Sequence, residues 1–318
     1  MRRTIDDAVT DDALSTILRT VRLRTAAISR GIFKVPWGVA TSGSKDGALY
    51  HVIVEGSCFA RAEGGEPIAL SAGDVVVFPR GAAHTISDEP NRAPSPRSDM
   101  RTSDDGTCVP LVEHGGFGKV TRLFCGSFAF EHLAAEPLIA AMPDALRVAS
   151  PSLATWLSTT LDLLKIELER GRTGADAVVT RLLDVIVLEV LRTYADGQTA
   201  PCSGWLGALR DERIARAVAA MHVAPAEDWT AERLAGHVGM SRSSFFARFT
   251  ELVGEAPVRY LARFRVYAAA DLLKRTDMSI AELAKQVGYE SENGLARACK
   301  RVLGMGPTEL RRSFAASA

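Results

Sequence analysis

The chain has 318 residues, 47% of them hydrophobic, with 38 basic and 38 acidic side chains. That length predicts two domains, each able to bury a sizeable core. No run of 18 apolar residues occurs, and no charged lead, apolar stretch and cleavage site opens the chain, which excludes a membrane span and a secretory signal and predicts a cytoplasmic protein. The zero net charge hides an asymmetry: from Leu209 onward there are 17 Lys and Arg against 13 Asp and Glu, leaving 21 against 25 for the rest. A mildly basic C-terminal half suits phosphate contact. The five cysteines, Cys58, Cys108, Cys125, Cys202 and Cys299, show no C-x-x-C spacing, which argues against a zinc finger and a disulfide framework.

Residues 1–24 form a polar arm in which Leu14, Ile17, Leu18 and Val21 are helically spaced. From residue 25 the texture changes to short apolar runs cut by glycine, among them Leu49–Val54, Cys58–Ala62, Val75–Phe78 and Val120–Phe124. Such runs predict an antiparallel β sandwich or barrel over 25–135. Within it, Gly73-Asp74-Val-Val-Val-Phe-Pro79-Arg-Gly81-Ala-Ala-His84 pairs a turn with a buried strand and a tight corner, and delivers His84 into the interior. Residues 86–116, rich in Ser, Asp, Pro and Arg, predict a mobile loop able to close over the mouth.

The period turns helical over 136–195. Trp156, Leu157, Thr160, Leu161, Leu164 and Leu168 form one stripe, and Val178, Val179, Leu182, Leu183, Ile186, Val187, Val190 and Leu191 a wider one, separated at Gly171-Arg-Thr-Gly174. Helices this apolar must bury against the barrel or a second subunit. Residues 196–208 read as a linker, and a helix over 211–221 begins the last domain, 209–318.

That domain carries one device twice. Thr230-Ala-Glu-Arg-Leu234-Ala235-Gly-His-Val238-Gly239-Met240-Ser241 leads into an Arg-bearing helix, and so does Ser279-Ile-Ala-Glu-Leu283-Ala284-Lys-Gln-Val287-Gly288-Tyr289-Glu-Ser291, about 49 residues later. In each copy a capping hydroxyl starts a short helix, a glycine turns the chain, and a second hydroxyl starts another helix. This describes a helix-turn-helix, whose second helix enters the major groove. Pro257 opens a long helix between the copies, through Tyr260, Leu261, Phe264, Tyr267 and Leu272, which would set them roughly 34 Å apart, one turn of duplex.

With Gly254-x-x-Pro257, Arg263, Gly288-Tyr289 and Gly304-x-x-Pro307, these roughly 100 residues resemble the AraC/XylS family of transcription regulators. The Gly73–His84 motif is similar to the second signature of the cupin fold, and the positions of the first signature's metal ligands fall near Gly43, Lys45 and Leu49, none of them a strong ligand. The resemblance therefore implies an α+β chain. It would have an N-terminal cupin-like β-barrel without the usual metal tetrad, a helical dimerisation segment, and a C-terminal all-α domain with two helix-turn-helix units.

By the family pattern, Arg242, Ser243, Ser244 and Ala247 face base edges in the first unit and Glu292, Asn293 and Arg297 in the second; Ser241, Arg248, Ser291 and Arg301 complete the DNA-binding set. Gly294 and Cys299 stand where bulkier residues are usual, and with Ala298 they predict that the first unit carries more of the affinity. In the barrel, His51, His84, His114, Cys125 and Cys58 are the candidate effector or redox residues, with Cys108 a further redox candidate. His51, His84 and Cys125 suit a divalent metal such as Zn²⁺. A cysteine beside histidines also suits oxidation through a lowered pKa. The same groups also suit a plain hydrogen-bonded core. The expected partners are a double-stranded DNA operator, RNA polymerase, a small-molecule, metal or redox effector and a second copy of the chain, with no membrane; action as an activator is expected. The alternative is a cupin metalloenzyme fused to a DNA-targeting domain, which would need an open metal site.

Overall fold

The computed structural model describes residues 23–45, 47–103, 109–130, 142–149, 151–170, 172–195 and 208–316, with Ser15 and Ile139. The helical pattern of residues 14–21, the linker at 196–207, Cys108 and Cys202 lie outside the described residues. The chain separates into two compact units, one built on Leu23–Phe130 and Met142–Pro201, the other including Cys202–Ala318.

In the first unit, β1 (Leu23–Lys34), β3 (Ala48–Glu55), β6 (Val75–Phe78), β8 (Arg101–Ser103), β9 (Leu111–Gly115), β10 (Val120–Phe130) and β11 (Leu146–Val148) form one sheet, ordered β11-β6-β3-β10-β1-β9-β8. The second sheet holds β2 (Gly38–Thr41), β4 (Ser57–Ala62), β5 (Ile68–Ser71) and β7 (His84–Ser87), ordered β2-β7-β4-β5. Phe33, Ile53, Phe78 and Leu123 from the larger sheet meet Cys58, Ala60, Leu70 and Ile86 from the smaller in one buried cluster. Alternation decides what faces inward: on β3, Leu49, His51 and Ile53 turn toward the second sheet, and on β10 Leu123 and Cys125 do so beside them.

The expected barrel is a sandwich instead. Closure needs a continuous hydrogen-bonded ladder. Among the described residues the edge strands β2, β5, β8 and β11 have only three or four residues each, too short to bridge the sheets.

Two further expectations are corrected. The stretch 86–116, expected as a mobile loop, contains β8 and β9, and β9 runs parallel to β1 from Arg30↔Leu111 to Lys34↔Gly115. Strand pairing satisfies the backbone of a segment whose side chains are too polar to announce it. The segment expected to be helical from 136 contains β11, where buried Leu146 and Val148 flank Arg147, whose guanidinium reaches Asp74 Oδ2 at 3.0 Å. Three residues are too few for a two-residue period to show.

Helices α1 (Pro151–Arg170) and α2 (Ala175–Ala195) pack on each other through Leu157, Leu164, Val179, Leu183 and Val187. Asp184 of α2 accepts from the Thr25 hydroxyl at 2.7 Å, which ties the helix to β1.

Among the described residues the second unit is all-helical: α3 (Glu212–Val223), α4 (Ala231–His237), α5 (Arg242–Val253), α6 (Pro257–Arg275), α7 (Ile280–Gln286), α8 (Glu292–Leu303) and α9 (Pro307–Ala316). Every capping hydroxyl expected from the sequence is in place. Thr230, Ser241, Ser279 and Ser291 each accept from the amide three residues on, and Ser279 with Glu282 forms a full capping box. Gly239 and Gly288 turn the chain at φ +66° and +86°. At Gly288 a Cβ would also meet Ala226 Cα at 2.8 Å and the Arg265 guanidinium at 2.9 Å, so this position excludes a side chain twice over. Helix α6, about 28 Å long at 1.5 Å per residue, holds both units. Arg265 donates to the carbonyls of Pro225 and Glu227 at 2.6 and 2.7 Å, and the Tyr289 hydroxyl donates to Ala262 O at 3.3 Å.

Candidate functional sites: a paired recognition surface and a sandwich cavity

The two recognition helices are α5 and α8. Helix α5 buries Phe245, Phe249 and Val253, one turn apart, against its own unit. Helix α8 buries Leu295, Ala298 and Cys299. The caps set their true correspondence. Ser241 matches Ser291, Gly254 matches Gly304 and Pro257 matches Pro307, an offset of 50, whereas Gly239 matches Gly288 at 49, because the second turn holds one residue more, Glu290. Arg297 therefore stands at the place of Ala247, not of Arg248, and Cys299 at the place of Phe249.

This placement sorts the expected DNA-binding residues. Ser241 and Ser291 are caps. The Ser244 hydroxyl is held by Ser241 Oγ at 2.9 Å. Arg242 ion-pairs with Glu232 at 2.8 Å, and Arg248 with Asp211 at 2.9 Å and Glu251 at 3.1 Å. Ser243 and Ala247 are exposed on α5, and Glu292, Asn293, Arg297 and Arg301 on α8. Gly294 is not in the helix interior. Its amide is the one that Ser291 Oγ caps at 3.2 Å, so the helix-weakening expected of it does not apply. Sequence reasoning did not separate Phe246, 46% exposed on α5, from the buried Phe245 and Phe249. Helical phase from the cap was the signal that distinguishes them. Lys300 was also missed, although it lies one turn beyond Arg297.

The sandwich holds a half-open cavity of about 520 Å³ lined by apolar Ile28, Val39, Leu49, Ile86, Met100 and Val112 and by a polar cluster, His51, His84 and Cys125. Met100 and Val112 come from the segment around β8 and β9. His84 Nδ1 lies 2.8 Å from the Ala82 carbonyl, His51 Nε2 lies 2.8 Å from His84 Nε2, and His51 Nδ1 lies 3.1 Å from Cys125 Sγ.

The carbonyl can only accept, and with both rings kept neutral by burial this assigns every proton. His84 donates from Nδ1, so its Nε2 accepts from His51 Nε2–H, and His51 Nδ1 accepts the Cys125 S–H. The Ser29 side chain also hydrogen-bonds the Cys125 thiol. The cluster is a one-way relay, Ser29 to Cys125 to His51 to His84 to Ala82, with each ring neutral. Burial, reinforced by His84, holds His51 well below the usual imidazole range, and burial lowers His84 as well. A neutral relay of this kind is cooperative and holds its side chains in one arrangement.

This geometry corrects the redox expectation. Burial pushes the Cys125 thiol up to about 12, the opposite of the lowered value a reactive thiolate needs. Cys58, on β4, lies in the core between the sheets, its thiol also pushed to about 12 by burial. His114 is not in the cluster; it sits on β9 with Nδ1 3.2 Å from Asp99 O. The two ring nitrogens of His51 point in opposite directions, one to each neighbour, so His51, His84 and Cys125 do not converge on a metal. Among the described residues no three His, Cys, Asp or Glu side chains do. The arrangement does not fit Zn²⁺.

Comparison with known proteins agrees with both halves. A family profile described as cupin matches residues 12–196, and one described as a helix-turn-helix domain matches 234–313. A putative AraC-like transcription regulator of Streptomyces lividans is 30% identical over 95% of this chain and 98% of its own length. The HTH-type transcriptional regulator AlkR of Acinetobacter baylyi is 29% identical over 85% of this chain and 89% of its own. Among solved structures, the DNA-binding domain of the global transcriptional factor AdpA, in complex with a target DNA, is 35% identical over 32% of this chain and 93% of that one, at a TM-score of 0.32.

Proposed function

The chain belongs to the AraC-like transcription regulators with an N-terminal cupin domain, and from that membership we propose that it is a non-enzymatic, cytoplasmic activator whose DNA binding is switched by a small molecule entering the sandwich cavity. The observation that carries the switch is the relay itself. Ser29, Cys125, His51 and His84 spend their hydrogen bonds on one another and on Ala82, and leave a shaped, mostly apolar space of about 520 Å³ beside them. Such a pocket, concave and apolar with a few oriented polar groups, is the form of a small-molecule site. The same reading takes α1 and α2 as the homodimer contact. Leu163, Ile166, Val178 and Val185 are apolar yet exposed on them, 42–50% each. RNA polymerase is the partner through which an activator of this class acts on its promoter.

An effector must favour one domain arrangement by several kcal/mol, about 5.5 to move the population from 1:99 to 99:1. The test is a reporter driven by the protein's own promoter, challenged with a panel of small molecules and oxidants. The His51→Ala, His84→Ala, Cys125→Ser variant, shown to be folded, should lose the response and keep DNA binding. Wild-type switching by that variant would remove the cavity from the mechanism.

A further inference from the structure

The two recognition helices share a frame and present unlike faces. On α5, Ser243, Phe246, Ala247 and Thr250 lie at i, i+3, i+4 and i+7, and so form one strip. The same strip on α8, read at the offset of 50, is Asn293, Ala296, Arg297 and Lys300. The cations of α5 lie elsewhere: Arg242 is held by Glu232, and Arg248 by Asp211 and Glu251. The α5 strip thus offers one hydroxyl, from Ser243, a methyl and an aromatic ring, with no amide and no charge, the Thr250 hydroxyl oxygen being buried. Phe245 and Phe249 are the rings that anchor the helix, at 0% exposure each, while Phe246 remains 46% exposed.

A large apolar side chain left in water on a face that enters the major groove calls for an apolar partner there. Among the base edges of that groove the one apolar group is the 5-methyl of thymine. We propose that Phe246 is a specificity-determining residue that reads thymine methyl groups in the half-site entered by α5, while α8 reads its half-site by hydrogen bonds from Asn293 and Arg297. The operator is then bipartite in chemistry as well as in sequence. One half is recognised by methyl contacts, and the other by a guanine facing Arg297 and an adenine facing Asn293. A ring in place of polar donors also explains how α5 reads sequence with both its arginines committed to ion pairs.

The test uses the full-length protein and the duplex it selects from a random-sequence pool. Each thymine in turn is replaced by deoxyuridine, which removes the methyl and leaves every hydrogen-bonding group in place. At one or more positions the wild type should bind roughly fourfold more weakly for each methyl removed, the equivalent of one buried CH₂. Phe246→Ala should bind the thymine and deoxyuridine duplexes equally, and Phe246→Leu should retain part of the discrimination. The proposal is overturned if no deoxyuridine substitution weakens wild-type binding, a result that needs no variant to fold. It is equally overturned if Phe246→Ala stays as sensitive to the methyl as the wild type.

Discussion

The two helix-turn-helix units are built alike and finished differently. Both use a capped short helix, a left-handed glycine, a capped recognition helix, a glycine stop and a proline restart. Yet Phe249 in the first core is Cys299 in the second, Ala247 on the first surface is Arg297 on the second, and the second turn is one residue longer. Backbone constraints are shared because caps and positive φ angles leave few substitutes. Core volume and surface chemistry are free to diverge once the frame is held. The second unit, smaller in its core, is tied to α6 by the Tyr289 hydroxyl and ends in the basic Lys300 and Arg301.

The largest effect expected from this difference is in stability. Phe249→Ala should cost about 3–5 kcal/mol, because it removes a fully buried ring in contact with Phe245 and Tyr260. Cys299→Ala should cost about 1 kcal/mol, since only a small buried sulfur is lost. Denaturant unfolding of the full chain, followed by helical circular dichroism, measures both. Equal losses would mean that the two cores carry equal loads.

Next comes base reading. Arg297→Ala should cost roughly 1–3 kcal/mol on the selected site and much less on random DNA. Arg242→Ala should cost less than about 1 kcal/mol, because its guanidinium is committed to Glu232. This reverses the ranking expected from the sequence, which counted Gly294 as a weakness and Arg242 among the base-facing residues. Fluorescence anisotropy on cognate and random duplexes decides the order.

The smallest difference lies in the caps. Ser279 and Glu282 form a capping box, whereas the residue three after Thr230 is Arg233, which cannot return the bond. Ser279→Ala should cost about 1 kcal/mol. Hydrogen bonds from the Ser279 hydroxyl and backbone hold the Glu282 carboxyl below the usual carboxylate range. Its contribution is therefore complete above the unfolded value, about pH 4.3, and is lost as pH falls through the depressed folded value. Amide exchange followed down from pH 6 should show α7 losing protection in that window while α4 shows no matching step.

Much of this frame was legible in the sequence. Four caps, two turn glycines and the helix-starting Pro257 are local signals with local causes, and each lies where the pattern put it. The offset was less plain. Leu234, Ala235, Val238 and Gly239 match at 49 and reward a single shift, while the inserted Glu290 moves everything after it to 50. In the sandwich, His51, His84 and Cys125 were legible as inward-facing groups. Their order was not, because the direction of the relay is set by the Ala82 carbonyl, which no side-chain pattern reveals. His114 was grouped with them because alternation along a strand does not say how far that strand lies from its neighbours in the sheet, and β9 is two strands away from β10. Strands β8, β9 and β11 were hidden by polar composition and by shortness.

The register of the recognition helices is the claim on which the comparison rests, and Ala247→Arg tests it most directly. If Ala247 occupies the position of Arg297, the variant gains a guanine-reading arginine in the first unit. Selection from random duplexes should then return the wild-type second half-site unchanged and a first half-site with a new, strongly preferred guanine. An unchanged first half-site, or loss of an existing guanine preference on Arg248→Ala, would show that Arg248 is the true counterpart of Arg297 and would contradict the account.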